Sequence, residues 1–193
     1  MTVWHWVRHG PTHAKAMVGW TDLPADLSDT AALARLSNAL PTDALVVSSD
    51  LIRASQTADA IQGNRARLDH RHGLREMNFG AWENLSSLSI PEADSERARA
   101  FWENPGEVGP PDGECWNDFS RRVHDEIERL ESELPDTPIV AVAHFGVVLA
   151  ALQLASGMAA RNLFSFKIDN LSVTRIERLN GGRWRVLGVN HLP

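Results

Sequence analysis

Val3-Trp4-His5-Trp6-Val7 runs directly into Arg8-His9-Gly10-Pro11-Thr12. The first half is apolar almost throughout, the pattern of a strand covered on both faces in a parallel sheet. The second half is a turn that no strand or helix continues through, because Gly10 and Pro11 interrupt both. A buried strand that ends in Arg-His-Gly places cationic and imidazole groups at its carboxyl end. Ile139–Ala143, after Pro138, repeats the design and ends in His144-Phe145-Gly146. Leu45–Ser48 is a third run of the same kind and leads into Ser49-Asp50.

Helical patterns fill the intervals. Asp29–Leu40 and Leu51–Ile61 are predicted helices, the second with Asp50 as a candidate cap. Phe119–Leu134 carries Val123, Ile127, Leu130 and Leu134 at helical spacing with charges between them. Val147–Leu154 starts directly after a strand and a glycine. Ser172–Glu177 and Trp184–Val189 are predicted strands joined through Asn180-Gly181-Gly182, a hairpin signal. Strands alternating with helices predict an α/β domain with a mostly parallel central sheet and an antiparallel edge. Ligands of such folds lie beyond the carboxyl ends of the strands.

Bulk properties set wide bounds. The chain has 193 residues, 43% hydrophobic and 23% charged, which suits one soluble domain. Cys115 is its single cysteine, so no internal disulfide forms and a reducing compartment is expected. The first residues lack the basic and apolar regions of a secretory signal, and no stretch reaches the roughly 18 apolar residues of a membrane span. A cytoplasmic protein is the resulting expectation. The net charge of -6 argues against non-specific nucleic-acid binding, yet local arginines can still draw a small anion.

The strand ends supply those arginines. Arg8 and His9 follow the first strand, Arg53 stands one turn into the helix after the second, and His144 follows the later one. A guanidinium offers a planar fork of donors suited to phosphate oxygens. Gly10 and Gly146 allow backbone to approach an anion, and the helix from about Val147 would aim its positive end there. A neutral imidazole is a competent nucleophile when positive charge keeps it unprotonated and a hydrogen bond selects its tautomer. A departing alkoxide needs a proton, and Glu76 in Leu74-Arg75-Glu76-Met77-Asn78-Phe79-Gly80 is the candidate acid.

With those residues in view, the chain resembles the histidine phosphatase superfamily, which includes cofactor-dependent phosphoglycerate mutases and small bacterial phosphatases. Arg8-His9-Gly10 is similar to the family's signature triplet, and Gly19-Trp20-Thr21-Asp22-Leu23-Pro24 to the segment after it. Ser48-Ser49-Asp50-Leu51-Ile52-Arg53-Ala54-Ser55-Gln56-Thr57-Ala58 resembles the second motif. Leu74-Arg75-Glu76 with Phe79-Gly80 and Trp82-Glu83 resembles the third, Asp112-Gly113-Glu114 the fourth, and Val142-Ala143-His144 the last. The resemblance implies a three-layer α/β/α sandwich. It implies His9 as phosphorylated nucleophile, Glu76 as proton donor, and Arg8, Arg53 and His144 as the groups that bind and polarise the phosphoryl group. It also implies hydrolysis without metal or organic cofactor. Lys15 stands where relatives often have a phosphate-binding asparagine, Phe145 where a glycine is common, Cys115 at a frequent serine and Asn84 at a frequent glycine.

Several residues keep two readings. Thr12 and Lys15 either contact phosphate or serve as a turn hydroxyl and a solvated charge, and Phe145 is expected to narrow the pocket at the substrate. Trp20, Trp82, Trp102 and Trp116 pack in the core or line the pocket mouth. Cys115 is expected to be inert, and His70 and His72 to be surface residues. His5, His9 and His13 recur every four residues, but that spacing aligns metal ligands only on a helix, which these residues do not form. The segment from Asn78 to Pro111 is expected to fold over the pocket within one domain spanning 1–193. The predicted partner is a small phosphorylated substrate or inorganic phosphate. Sugar phosphates, nucleotide-like phosphates and the α-ribazole phosphate of cobalamin synthesis stay open, as does the oligomeric state. Mutase-type transfer and a non-catalytic phospholigand-binding module are the rival functions.

Overall fold

The computed structural model describes residues 1–193, all but the side chain of Ser87. Its strands are β1 (Thr2–Arg8), β2 (Leu45–Ser48), β3 (Ile139–Ala143), β4 (Val173–Arg178) and β5 (Trp184–His191). Its helices are α1 (Thr30–Ala39), α2 (Ile52–Ile61), α3 (Ser95–Glu103), α4 (Trp116–Glu133), α5 (Phe145–Ser156) and α6 (Ala160–Leu163). The strands form one sheet in the order β2-β3-β1-β4-β5. β2, β3 and β1 are parallel, while β4 and β5 run antiparallel at one side. The antiparallel part is two strands deep because Asn180-Gly181-Gly182 turns β4 back on itself, with Gly181 at φ 86° and Gly182 at φ 79°.

Side chains alternate across the sheet and build two cores. Trp4 and Trp6 of β1, with Ile139, Ala141 and Ala143 of β3, face α4 and α5. Val7, Val140 and Val142 face the other way, onto Leu33 and Leu36 of α1 and Ala54, Ala58 and Ile61 of α2. The result is a helix layer on each side of a mixed sheet. β3 is buried at all five positions, which is why its sequence is an unbroken apolar run. No helix among the described residues is long and apolar enough to cross a membrane.

Several boundaries move for identifiable reasons. α4 begins at Trp116, a turn before the charged-amphipathic pattern becomes clear, because Trp116 is itself core at 1% exposure. α5 begins at Phe145, directly on His144, and ends at Gly157 in the left-handed conformation. Asp50 does not cap α2. Its carboxylate takes two bonds from Arg75, of 2.8 and 2.7 Å, and such a charge-assisted pair outcompetes a cap. The open Ile52 amide donates instead to Asp22, 30 residues away, over 2.7 Å.

The segment between Asn78 and Pro111 is a series of short turns around α3, an element whose residues gave no strong helical pattern. Only Phe101 of α3 is fully buried. Phe101 anchors the segment by edge contacts to Trp82 and Phe79, with ring centroids 5.7 and 6.4 Å away.

Candidate active site

β1 and β3 are neighbours in parallel register, with Arg8 opposite Ala143. The next residue on each strand is therefore a histidine, and the His9 and His144 rings lie 5.1 Å apart between centroids. The ladder continues into the site, since the His9 amide donates to the Ala143 carbonyl over 3.0 Å. Asn170 holds the other side of the turn by donating to the His9 carbonyl over 2.7 Å.

The hydrogen bonds fix both imidazole tautomers. His9 Nδ1 lies 2.6 Å from the Gly10 carbonyl oxygen. A carbonyl only accepts, so Nδ1 carries the proton and Nε2 presents a lone pair. Arg53 Nε donates to His144 Nδ1 over 3.2 Å. A guanidinium only donates, so the His144 proton resides on Nε2, which is buried and has no partner. Burial, and after it the charge of Arg53, lowers the pKa of both rings. His9 falls to about 3, and His144 is well below its ordinary value, so both are neutral at pH 7.

Arg53 is 1% exposed and fully steered. Besides His144 it donates to the Thr21 carbonyl at 2.9 Å and the Gly19 carbonyl at 2.6 Å. Two of its five N–H groups are left for another acceptor. Thr57 joins this helix to the first loop: its hydroxyl accepts from the Gly10 amide at 3.0 Å and donates to the Arg53 carbonyl at 2.7 Å. Arg8 is held by the Ile168 carbonyl at 2.6 Å and stacks over Phe145 at 5.6 Å.

Glu76 is buried at 8% exposure. One carboxyl oxygen accepts from the Met77 amide at 2.9 Å, the other from the Gly146 amide at 3.1 Å. Burial raises its pKa, while the two amides and the charges of Arg53 and Arg8 oppose the rise. A Cβ at position 146 would lie 2.4 Å from Glu76 Oε1, so only glycine permits this approach.

Arg8, His9, Thr12, Arg53, Glu76 and Phe145 line one pocket of about 130 Å³. His144 lies behind His9 and Arg53. Lys15 is exposed and outside the lining. His5 is on β1 and His13 pairs with Asp26 at 2.8 Å, so neither joins His9. His70 and His72 are exposed, with His72 edge-on to Trp20. A larger hollow of about 500 Å³ opens at the opposite end of the sheet, near Thr2 and Arg178. Its Arg178 is paired with Glu131 and its amino terminus with Asp136, so among the described residues both of its cations are already neutralised.

Two supporting residues were given no role by the sequence, although Glu83 lies within the motif-like Trp82-Glu83 pair. Glu83 accepts from the amides of Gly19, Trp20, Thr21 and Phe79 and from the Thr21 hydroxyl, at 2.7 to 3.2 Å. It thereby fixes the loop whose carbonyls hold Arg53. Arg122 donates to the carbonyls of Gly73, Arg75 and Glu76 at 3.0 to 3.2 Å and is pinned by Glu114 at 2.7 Å. It brackets the backbone that carries Glu76.

Comparison with known proteins identifies the family and the fold. A sequence model described as the histidine phosphatase superfamily (branch 1) matches residues 5–192. A glucosyl-3-phosphoglycerate phosphatase of Mycolicibacterium vanbaalenii is 32% identical over 175 residues, covering 81% of this chain and 75% of that one. The structure of Bacillus stearothermophilus YhfR superimposes with a TM-score of 0.86 at 26% identity, covering 97% of this chain and 96% of that one. A mycobacterial glucosyl-3-phosphoglycerate phosphatase in complex with inorganic phosphate gives a TM-score of 0.82 at 26% identity, covering 98% and 97%.

Proposed function

The chain belongs to the histidine phosphatase superfamily, branch 1, and from that premise we propose that it hydrolyses small phosphomonoesters through a phosphohistidine on His9. In the first step the His9 Nε2 lone pair forms the N–P bond as the ester P–O bond breaks. Glu76 gives its proton to the departing alkoxide, and the alcohol leaves. In the second step the Glu76 carboxylate takes a proton from water, whose oxygen attacks phosphorus and breaks the N–P bond. Inorganic phosphate leaves, and His9 and Glu76 are restored.

The observation that carries this reading is the Nδ1 bond of His9 to the Gly10 carbonyl at 2.6 Å. It frees Nε2 for phosphorus in a pocket shared with Arg8, Arg53 and Glu76. The remaining Arg53 N–H groups, Arg8 and the unpaired Nε2–H of His144 answer the equatorial oxygens, whose charge grows during in-line transfer. The two guanidiniums do the work a metal ion would do, so turnover should survive a chelator. The relatives' names refer to phosphorylated metabolites, and a small ester is the corresponding substrate here.

Rapid quenching with a radiolabelled aryl phosphate tests the reading. An acid-labile, base-stable phosphoprotein that His9→Ala abolishes is expected. Turnover without any such species, or retained in His9→Ala, rejects it. Recovery of an isomerised ester in place of free phosphate points to transfer rather than hydrolysis.

A further inference from the structure

We propose that the substrate's leaving group is a flat, apolar moiety seated in an aromatic slot on the far side of Glu76. The inference rests on the phosphatase reading and names the class of ester that site accepts. A second cavity, of about 120 Å³, shares Glu76 and Phe145 with the phosphate pocket. Its remaining walls include Phe79, Phe101, Trp102, Trp116 and Phe164. Among the described lining residues Glu76 alone is ionisable. The Trp116 indole N–H is already spent on Gln153 at 2.9 Å.

The position of Glu76 gives the slot its meaning. The acid must stand at the bridging oxygen, so the group attached to that oxygen continues beyond Glu76. The slot begins there. Its size is close to the dry apolar cavities of about 150 Å³ that take up a benzene molecule. Its walls are arranged as ring edges and faces. Phe101 and Trp102 meet at 4.7 Å and 75°, and Trp116 and Phe164 at 5.2 Å and 64°. A ring between them finds the offset and edge contacts that aromatic groups prefer. A sugar there would find no donors or acceptors for its hydroxyls besides Glu76, and unpaired buried hydroxyls oppose binding.

The rim adds an independent observation. Trp102 is 44% exposed and Phe164 36% exposed, although they come from α3 and from the residue after α6. Two large apolar side chains left open at one mouth are surface that a ligand would cover.

The experiment compares phenethyl phosphate with ethyl phosphate and glycerol phosphate. Their leaving alcohols have similar acidity, so the comparison reads side-chain contacts rather than leaving ability. Phenylpropylphosphonate and propylphosphonate, which cannot turn over, are measured in parallel by calorimetry. Expected are a kcat/KM for phenethyl phosphate at least roughly tenfold above ethyl phosphate, with glycerol phosphate no better than ethyl. The phosphonates should show the same preference in Kd. Trp102→Ala, at an exposed position that leaves the fold intact, should shrink both ratios. Equal values for ring and ethyl compounds in turnover and binding overturn the slot and leave the phosphatase reading standing. Ring preference in binding with no ester turned over supports the slot and overturns the phosphatase reading.

Discussion

The Nε–H of Arg53 points at Nδ1 of His144 across 3.2 Å, and this one bond sets which donors each side chain keeps for a ligand. It leaves the His144 proton on the buried, unpartnered Nε2 and fixes the plane of the guanidinium. Both residues are buried, Arg53 at 1% and His144 at 0% exposure, so water does not compete for the bond.

Arg53→Lys should therefore cost far more than a conserved charge suggests. A lysine cannot donate at once to His144, Gly19 and Thr21 while keeping donors for substrate. A fall in kcat/KM of about 10²–10³ is expected, the size seen when one transition-state donor is removed. Steady-state kinetics on an aryl phosphate measure it; a drop under fivefold would mean the fork is not used.

Gly146→Ala pushes a methyl group against the Glu76 carboxyl. Esters of ordinary alcohols, which need a proton on departure, should lose about 10²-fold in kcat. Nitrophenyl phosphate, whose leaving group departs unaided, should lose much less. Equal losses on both substrates would assign the defect to packing against Phe119 instead of to the acid.

Glu83→Gln replaces a carboxylate that meets four amides and a hydroxyl. The amide has one accepting oxygen, so buried donors go unmet at a cost of about 1–3 kcal/mol. Urea unfolding should show that loss. Phosphate inhibition should weaken in parallel, because the Gly19 and Thr21 carbonyls no longer hold Arg53. Loss of stability with unchanged phosphate affinity would limit Glu83 to a scaffold role.

Acid should destabilise the fold through its buried histidines. His5 has a pKa lowered to about 4, chiefly by burial, His9 one lowered to about 3, and His144 one well below 6.5. Unfolded, each titrates near 6.5. The unfolded chain then binds more protons below that value, so stability is complete above about pH 6.5 and declines as pH falls toward 4. Each histidine adds a slope of up to about 1.4 kcal/mol per pH unit. Glu76 acts oppositely, since its raised value favours the protonated fold at low pH and loses that contribution as pH rises through it. Urea midpoints at pH 7 and pH 5 should differ less for His9→Gln than for the unaltered protein; identical differences would show that His9 is not held neutral.

The parts visible in the sequence are those whose cause is local. β3 is buried on both faces, so its residues are uniformly apolar; Gly181 and Gly182 need positive φ, and the Asn180-Gly181-Gly182 hairpin signal marks them. Arg8, His9 and His144 could be placed from the sequence because Arg8 ends such a strand and each histidine directly follows one. What Glu83 and Arg122 hold could not be read, because their partners lie up to 64 residues away and leave no periodicity, even though Glu83 sits in the motif-like Trp82-Glu83 pair. Asp50 misled for the same reason: a nearby cap was legible, and the Arg75 pair 25 residues on was not. α3 escaped notice because only Phe101 is buried along it.

The pairing of Arg8 with Ala143 means the gap between the two imidazoles is inherited from the spacing of adjacent strands, about 4.8 Å. Slipping one strand by a residue would drive the side chains of one core, Trp4 and Trp6 among them, into the other, so the ladder cannot drift without repacking both helix layers. The two imidazoles are thus insulated from changes in the turns around α3 and α6. On the proposed function, those outer turns can exchange residues and retune which esters enter while the two rings keep the same separation.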